Sequence, residues 1–301
     1  MAQLADYLAP DELQKISNLE VLARVVVEGF ISGLHRSPHK GLSVEFAQHR
    51  QYVQGDEIRR LDWKVYAKTD RLYVREYEEE TNLRCTLLLD LSGSMAYGGE
   101  KAVAKHQYAL RLAAALSYLL LIKQRDSVGL VTFDTAIRRY IPPRSSTRHL
   151  RILLNELSAA EPGGETDLGR VLHDLVPRLH RRGLIVLLSD CLGDVKALTS
   201  ALAHFRSAHH EVLVFHILDR DEVDFPFREW TRFESLEQAD AFRMIDPAQF
   251  REAYLANLKR FQEELVAGCR KHRVDLVPML TDQPYAEALA HYLTRRLSRR
   301  K

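Results

Sequence analysis

The stretch LRCTLLLDLSGSMAYG, residues 83–98, carries an apolar run of strand length that stops at Asp90, with serines following at alternate positions, Ser92 and Ser94. Three oxygen-bearing side chains at the mouth of a buried strand could cap a helix, attack a substrate or hold a metal ion. The surrounding sequence decides between them.

From this stretch onward, apolar runs alternate with longer helical patterns. Strands are expected at 85–89, 126–133, 136–141, 184–188, 212–218 and 274–280. Helices are expected at 101–124, 147–157, 167–180, 195–207, 247–272 and 285–297. Continuous apolar strands alternating with helices predict a mainly parallel sheet covered on both faces, a doubly wound α/β domain over residues 83–301. Ligands of such sheets gather at the carboxyl ends of the strands. The polar punctuation falls at those ends: Asp90 closes the first strand, Asp190 closes LIVLLSD, and the loop PGGETDLG (162–169) presents Thr166 just before a helix.

Residues 1–82 read differently. An amphipathic helix is expected at 12–29, and alternating stretches around Val44 and Phe46, and around Tyr73, Arg75 and Tyr77, suggest short strands about a helical turn near Trp63. No Gly/Ser linker separates this segment from the sheet, so it is expected to pack on the main domain.

Composition narrows the function classes. The 301 residues are 46% hydrophobic and 28% charged, with 43 basic against 41 acidic side chains. That balance gives no general reason to expect nucleic acid or an anionic membrane as partner, and the basic end TRRLSRRK suits a helix C-terminus. The start MAQLADYLAPDELQK lacks the features of a signal peptide, and the greasiest segment, 112–122, is too short to span a bilayer. The three cysteines, Cys85, Cys191 and Cys269, lie far apart without CxxC spacing, which argues against a disulfide framework and fits a reducing cytoplasm. The 13 histidines are scattered, so zinc is not expected.

The helix-cap reading of Asp90, Ser92 and Ser94 is the bland one, since Asp and Ser are favoured N-caps. It leaves two of the three unexplained, and the next helix begins several residues later. A haloacid-dehalogenase phosphatase needs a second Asp two residues after the first, where this chain has Ser92. SGSMA does not meet the Gly-x-Ser-x-Gly pattern of a serine hydrolase, and no Gly-x-x-x-x-Gly-Lys phosphate loop occurs. A hard cation uses the whole set. Mg²⁺ takes about six oxygens and keeps several waters, and hydroxyl ligands would leave it electrophilic enough to accept a carboxylate from outside.

D-x-S-x-S at Asp90, Ser92 and Ser94, with a loop threonine at Thr166 and a strand-end aspartate at Asp190, resembles the metal-ion-dependent adhesion site of von Willebrand factor type A domains. The resemblance implies that Ser92 and Ser94 coordinate Mg²⁺ (or Mn²⁺) directly and Thr166 directly or through water. Asp90 and Asp190 would orient waters behind them. One departure is Cys191, where many such domains have glycine after the aspartate. Upstream, GDEIRRLDWKVYAKTDRLYVREYEEE (55–80) resembles the signature of the bacterial domain of unknown function 58 family, and residues 253–296 resemble its closing helix-strand-helix. That resemblance, over roughly residues 35–296, implies a non-enzymatic adaptor or co-chaperone acting with a MoxR-type AAA+ ATPase. A metal-dependent, phosphatase-like hydrolase is the alternative. Within the signature, Asp56, Arg59, Arg60 and Asp62 can form a charge-assisted clamp with Trp63 and Tyr66 buried beside it, or a docking surface. Glu78, Glu79 and Glu80 read as a solvated strand edge.

Overall fold

The computed structural model describes residues 18–36, 49–51, 66–67, 72–75, 83–99, 103–165, 167–234, 236 and 242–298. The chain divides into two units, Leu34–Asn82 and the remainder, Met1–Gly33 with Leu83–Lys301.

Helix α1 spans Leu19–Arg36. Asn18 opens it: its side-chain carbonyl accepts from the backbone N–H groups of Glu20 and Val21 at 2.9 and 3.2 Å, satisfying donors that have no partner inside the helix. Leu22, Ala23, Val26, Val27 and Phe30 are buried, at the spacing of one helix face. The helix therefore continues past Gly29, where the sequence pattern ends it; residues 12–17 lie outside the described residues. In the smaller unit, β1 (His49–Gln51) pairs antiparallel with β2 (Tyr73–Arg75), with Arg50 opposite Val74. The clamp residues Asp56, Arg59, Arg60, Asp62 and Trp63, the stretch Glu78–Glu80 and the expected strand at Val44 and Phe46 lie outside the described residues. Tyr66, expected to be buried, is 38% exposed. A phenol can keep its hydroxyl in water at little cost, so tyrosine in a signature motif need not mark a core position.

The larger unit carries β3 (Arg84–Asp90), α2 (Lys105–Tyr118, running on as a π turn Leu119–Lys123), β4 (Ser127–Phe133) and β5 (Ile137–Arg144). Then come α3 (Thr147–Ser158), α4 (Leu168–Leu175), β6 (Leu184–Ser189), α5 (Val195–Ser207) and β7 (Glu211–Leu218). A short helix α6 (Arg220–Asp224) and a hairpin, β8 (Thr231–Glu234) with β9 (Phe242–Ile245), precede α7 (Pro247–Lys271), β10 (Asp275–Leu280) and α8 (Tyr285–Ser298). The six-stranded sheet has the order β10-β7-β6-β3-β4-β5. All neighbours are parallel except β4 and β5. Counted within the sheet this is 3-2-1-4-5-6, the doubly wound order whose reversal point lies between the first and fourth strands, β3 and β6.

The reason is visible in burial. Every residue of β6 is buried, as are all but the first residues of β3, β4 and β7. Such strands need helices on both faces. On one face α4, α5 and α7 bring Leu172, Leu175, Leu202, Phe205 and Leu265 onto the sheet. On the other, α2 and α8 meet through Tyr108 and Tyr285, stacked with ring centroids 4.6 Å apart. β5 is the reversed edge strand, and Pro142 and Pro143 are tolerated there because an edge leaves N–H positions unused. The hairpin β8–β9 and helix α6 are not anticipated by the pattern. Both are short, and Arg232 and Arg243 interrupt the apolar residues of the hairpin.

Gly169 fixes how closely α4 approaches α5. A Cβ on it would stand 2.7 Å from the Cβ of Ala197, inside van der Waals contact. Gly169→Val is expected to destabilise by about 1–3 kcal/mol through overpacking, read as a lower melting temperature. A variant that melts like the parent would mean the two helices can separate freely.

Candidate metal site

Asp90 and Asp190 leave the sheet at adjacent strand ends, because β3 and β6 pair in parallel. Both are 1% exposed, as is Ser92. Their hydrogen bonds form one connected set. Asp90 accepts from the backbone N–H of Ser92 at 2.9 Å through Oδ1 and from the Ser189 hydroxyl at 2.6 Å through Oδ2. The Ser189 oxygen in turn accepts from the Cys191 N–H at 2.8 Å. Asp190 Oδ1 accepts from the Leu192 N–H at 3.1 Å. The hydroxyl oxygens of Ser92 and Ser94 are 3.1 Å apart. Neither serine caps a helix with its side chain: Ser92 precedes the 3₁₀ turn Gly93–Ala96 without a side-chain cap, and α2 starts only at Lys105.

The loop carrying Thr166 is held beside these residues. Gly163 N–H donates to Leu91 O and Gly93 N–H to Gly164 O, both at 2.8 Å. Arg138 donates to Glu161 O and Gly163 O at 2.7 and 2.8 Å, its guanidinium anchored on Asp134. Gly164, at φ 84°, adopts the left-handed conformation that this tight loop requires. Thr166 itself lies outside the described residues. Asp90, Ser92, Ser94 and Asp190 are thus gathered at one sheet edge, with the flanks of Thr166 placed against them.

Two residues of this cluster carry no signal in the D-x-S-x-S motif. Lys105, fully buried on α2, donates to Asp190 Oδ2 at 2.8 Å and to Glu222 Oε1 at 2.6 Å. Glu222 belongs to a capping box on α6: its other oxygen accepts from Asp219 N–H at 2.7 Å, while Asp219 accepts from Asp221 N–H at 3.0 Å. Burial pulls the Lys105 ammonium down in pKa, but Asp190 and Glu222 together more than offset it and hold it above its ordinary value. Burial pushes the Glu222 carboxyl up against the pull of that ammonium. A signal existed for both. Lys105 sits three, four and seven residues before Tyr108, Ala109 and Leu112, on the buried stripe of its helix. Asp219 and Glu222 have the D-x-x-E spacing of a capping box.

Burial, with the charge of Asp190 next, pushes the Asp90 carboxyl up to about 6, against the hydrogen bonds from Ser189 and Ser92. His216, opposite Ser189 on β7, is driven by burial down to about 4 and is neutral at pH 7. Cys191, where the sequence departs from the adhesion-site pattern, has φ 56°, the left-handed region in which glycine is the residue without strain.

These donors fit a small hard cation. With bonds of about 2.0–2.1 Å, octahedral Mg²⁺ places neighbouring ligands about 3 Å apart, and the two serine hydroxyls have that spacing. Asp90 would then face water on the ion while its own oxygens stay anchored. Lys105 shares its one charge between Asp190 and Glu222, so the carboxylates behind the serines keep net negative charge that a cation would balance. When bound, a divalent ion would supply one electrophilic position facing solvent. Among the described residues, no group of three or more His, Cys, Asp or Glu is arranged to hold a metal; the donors here are hydroxyls with carboxylates behind them.

The strand order, with its reversed edge strand and its polar loops at the switch point, makes this fold von Willebrand factor type A-like. Residues 48–264 match the family described as "Protein of unknown function DUF58", and the chain belongs to that family. Uncharacterized proteins of Mycobacterium tuberculosis and Mycobacterium bovis are 29% identical over 214 residues, covering 70% of this chain and 66% of their own length. Among solved structures, the conserved hypothetical protein BatB from Bacteroides thetaiotaomicron is similar over 72% of this chain and 99% of its own, at 14% identity and TM-score 0.48. The VWA domain of SpRpn10 is similar over 69% of this chain and 94% of its own, at 11% identity and TM-score 0.40. Among the described residues, no helix is long and apolar enough to cross a membrane.

Proposed function

We propose that this protein is a non-enzymatic binding module. Its site at Asp90, Ser92, Ser94, Thr166 and Asp190 holds Mg²⁺ or Mn²⁺, and a partner protein completes the ion's shell with a Glu or Asp. The observation that carries the reading is the 3.1 Å pair of serine hydroxyls, set in front of two buried carboxylates at the switch point of the sheet. Neutral ligands leave the ion short of anionic donors, and an outside carboxylate supplies one. The partner we take from the family resemblance is a MoxR-type AAA+ ATPase, with an adaptor or co-chaperone role in the cytoplasm. A phosphatase-like hydrolase at the same loops would need a general base near a metal-bound water. Lys105 and Asp190 are committed to each other and Asp90 to Ser189 and Ser92, which favours binding over catalysis.

The test is association with a MoxR-type ATPase, comparing wild type, Ser92→Ala/Ser94→Ala, and wild type in EDTA. At least tenfold weaker association in both perturbed cases is expected, with unchanged circular dichroism. Association indifferent to chelator and substitution would move the interface elsewhere and end this reading.

A further inference from the structure

The amino ends of the same strands carry a second feature. A cleft of about 150 Å³ opens there between β3, β6 and the segment after α4, lined by Arg84, Arg178, Arg181, His180, Tyr140 and His210 among others, with no carboxylate in its wall. The whole chain is nearly neutral, at +2, so overall basicity does not explain this concentration. Among the described residues, none of the three guanidinium groups has an ion-pair or hydrogen-bond partner to spend its charge on. A cation near a helix C-terminus is favourable, but the effect fades beyond the last turn. That accounts for Arg178, at the end of the 3₁₀ turn after α4, and leaves Arg84 on a strand and Arg181 in the following loop unexplained.

The buried wall of the cleft is His210, 1% exposed, whose Nε2–H donates to Leu179 O at 3.2 Å. Burial favours the neutral imidazole, which then has no second N–H to offer an anion. A fourth arginine, Arg206, donates to His210 O at 2.8 Å. Planar guanidinium forks are the donors that suit a tetrahedral oxyanion, because they offer paired N–H groups to its oxygens.

We propose that this cleft is a phosphate-binding site, taking an inorganic phosphate or a phosphate monoester group between Arg84, Arg178 and Arg181. It lies at the opposite end of β3 from Asp90, about 20 Å away at 3.3 Å per residue, and is independent of the metal-site reading.

Calorimetric titration at fixed, low ionic strength tests it, with inorganic phosphate in one arm and a phosphoserine peptide with its unphosphorylated twin in another. Saturable one-site binding of phosphate is expected. Arg178→Gln/Arg181→Gln, both exposed positions, should weaken binding at least tenfold, and the distant Arg260→Gln should leave it within twofold. Tighter binding of the phosphopeptide than of its twin or of free phosphate would identify a phosphorylated protein as the source, and equal binding would identify the free ion. No saturable binding in either arm, or equal affinity in wild type and the double variant, would overturn the assignment.

Discussion

Lys105→Met is expected to lower stability by about 3–5 kcal/mol, since removing one member of a buried ion pair leaves the other charge uncompensated. For a domain of this size that corresponds to a fall of roughly 10 °C in melting temperature. The substitution keeps the length of the apolar stem and removes the ammonium with its two hydrogen bonds, so most of the loss is charge rather than packing. Lys105 is fully buried and Asp190 nearly so, while the Glu222 side chain is 17% exposed. Glu222→Gln should therefore cost less than Lys105→Met, and Lys105→Met/Glu222→Gln should cost less than the sum of the two.

The pH dependence follows from the shifts. The Lys105 pKa is raised above 10.5 in the fold. Its stabilisation is therefore fully present at neutral pH and is lost only as pH climbs through the folded value. Glu222 is raised as well, by burial. In the variant it loses the ammonium that opposes burial, so the folded state takes up a proton more readily than the unfolded chain, and the variant gains stability as pH falls. The gap between variant and parent should narrow between pH 8 and pH 5. A gap that widens on acidification, or a variant that melts like the parent, would mean Lys105 is not the counter-charge of this site.

How much of this was legible in the sequence depends on the range of the interaction. β6 and β7 could be read because LIVLL and VLVFHIL are apolar throughout, and only strands covered on both faces need that. Asp90, Ser92 and Ser94 could be read because they are neighbours of one another in the chain, whereas Ser189, which also holds Asp90, lies 99 residues on. Lys105 meets Asp190 across 85 residues, a pairing that no local pattern encodes. Its position on a buried helical stripe said that it must find a carboxylate, without saying which. The hairpin β8–β9 was illegible for the opposite reason: on β9, Phe242 and Met244 are each 53% exposed, and β8 is four residues long with Phe233 as its apolar contact to Phe225. The departure at Cys191 was visible as a missing glycine, but only its φ of 56° says why glycine suits that position.

Asp90, Ser92, Ser94 and Asp190, with Thr166, are expected to bind one divalent ion. Lys105 shares its one charge between Asp190 and Glu222, so the carboxylates behind the hydroxyls are only partly compensated and affinity should be modest in the absence of a partner. At a hundred times the dissociation constant, binding to the native state alone adds about 2.7 kcal/mol of stability. Calorimetric titration of the wild type with Mn²⁺ and Mg²⁺, beside Ser92→Ala/Ser94→Ala and Lys105→Met, is the most direct measurement. One saturable site is expected in the wild type, none in the double serine variant, and tighter binding in Lys105→Met, where a second carboxylate charge is released behind the hydroxyls. Equal heats in wild type and the serine variant, or no binding at millimolar metal in any of the three, would contradict the account.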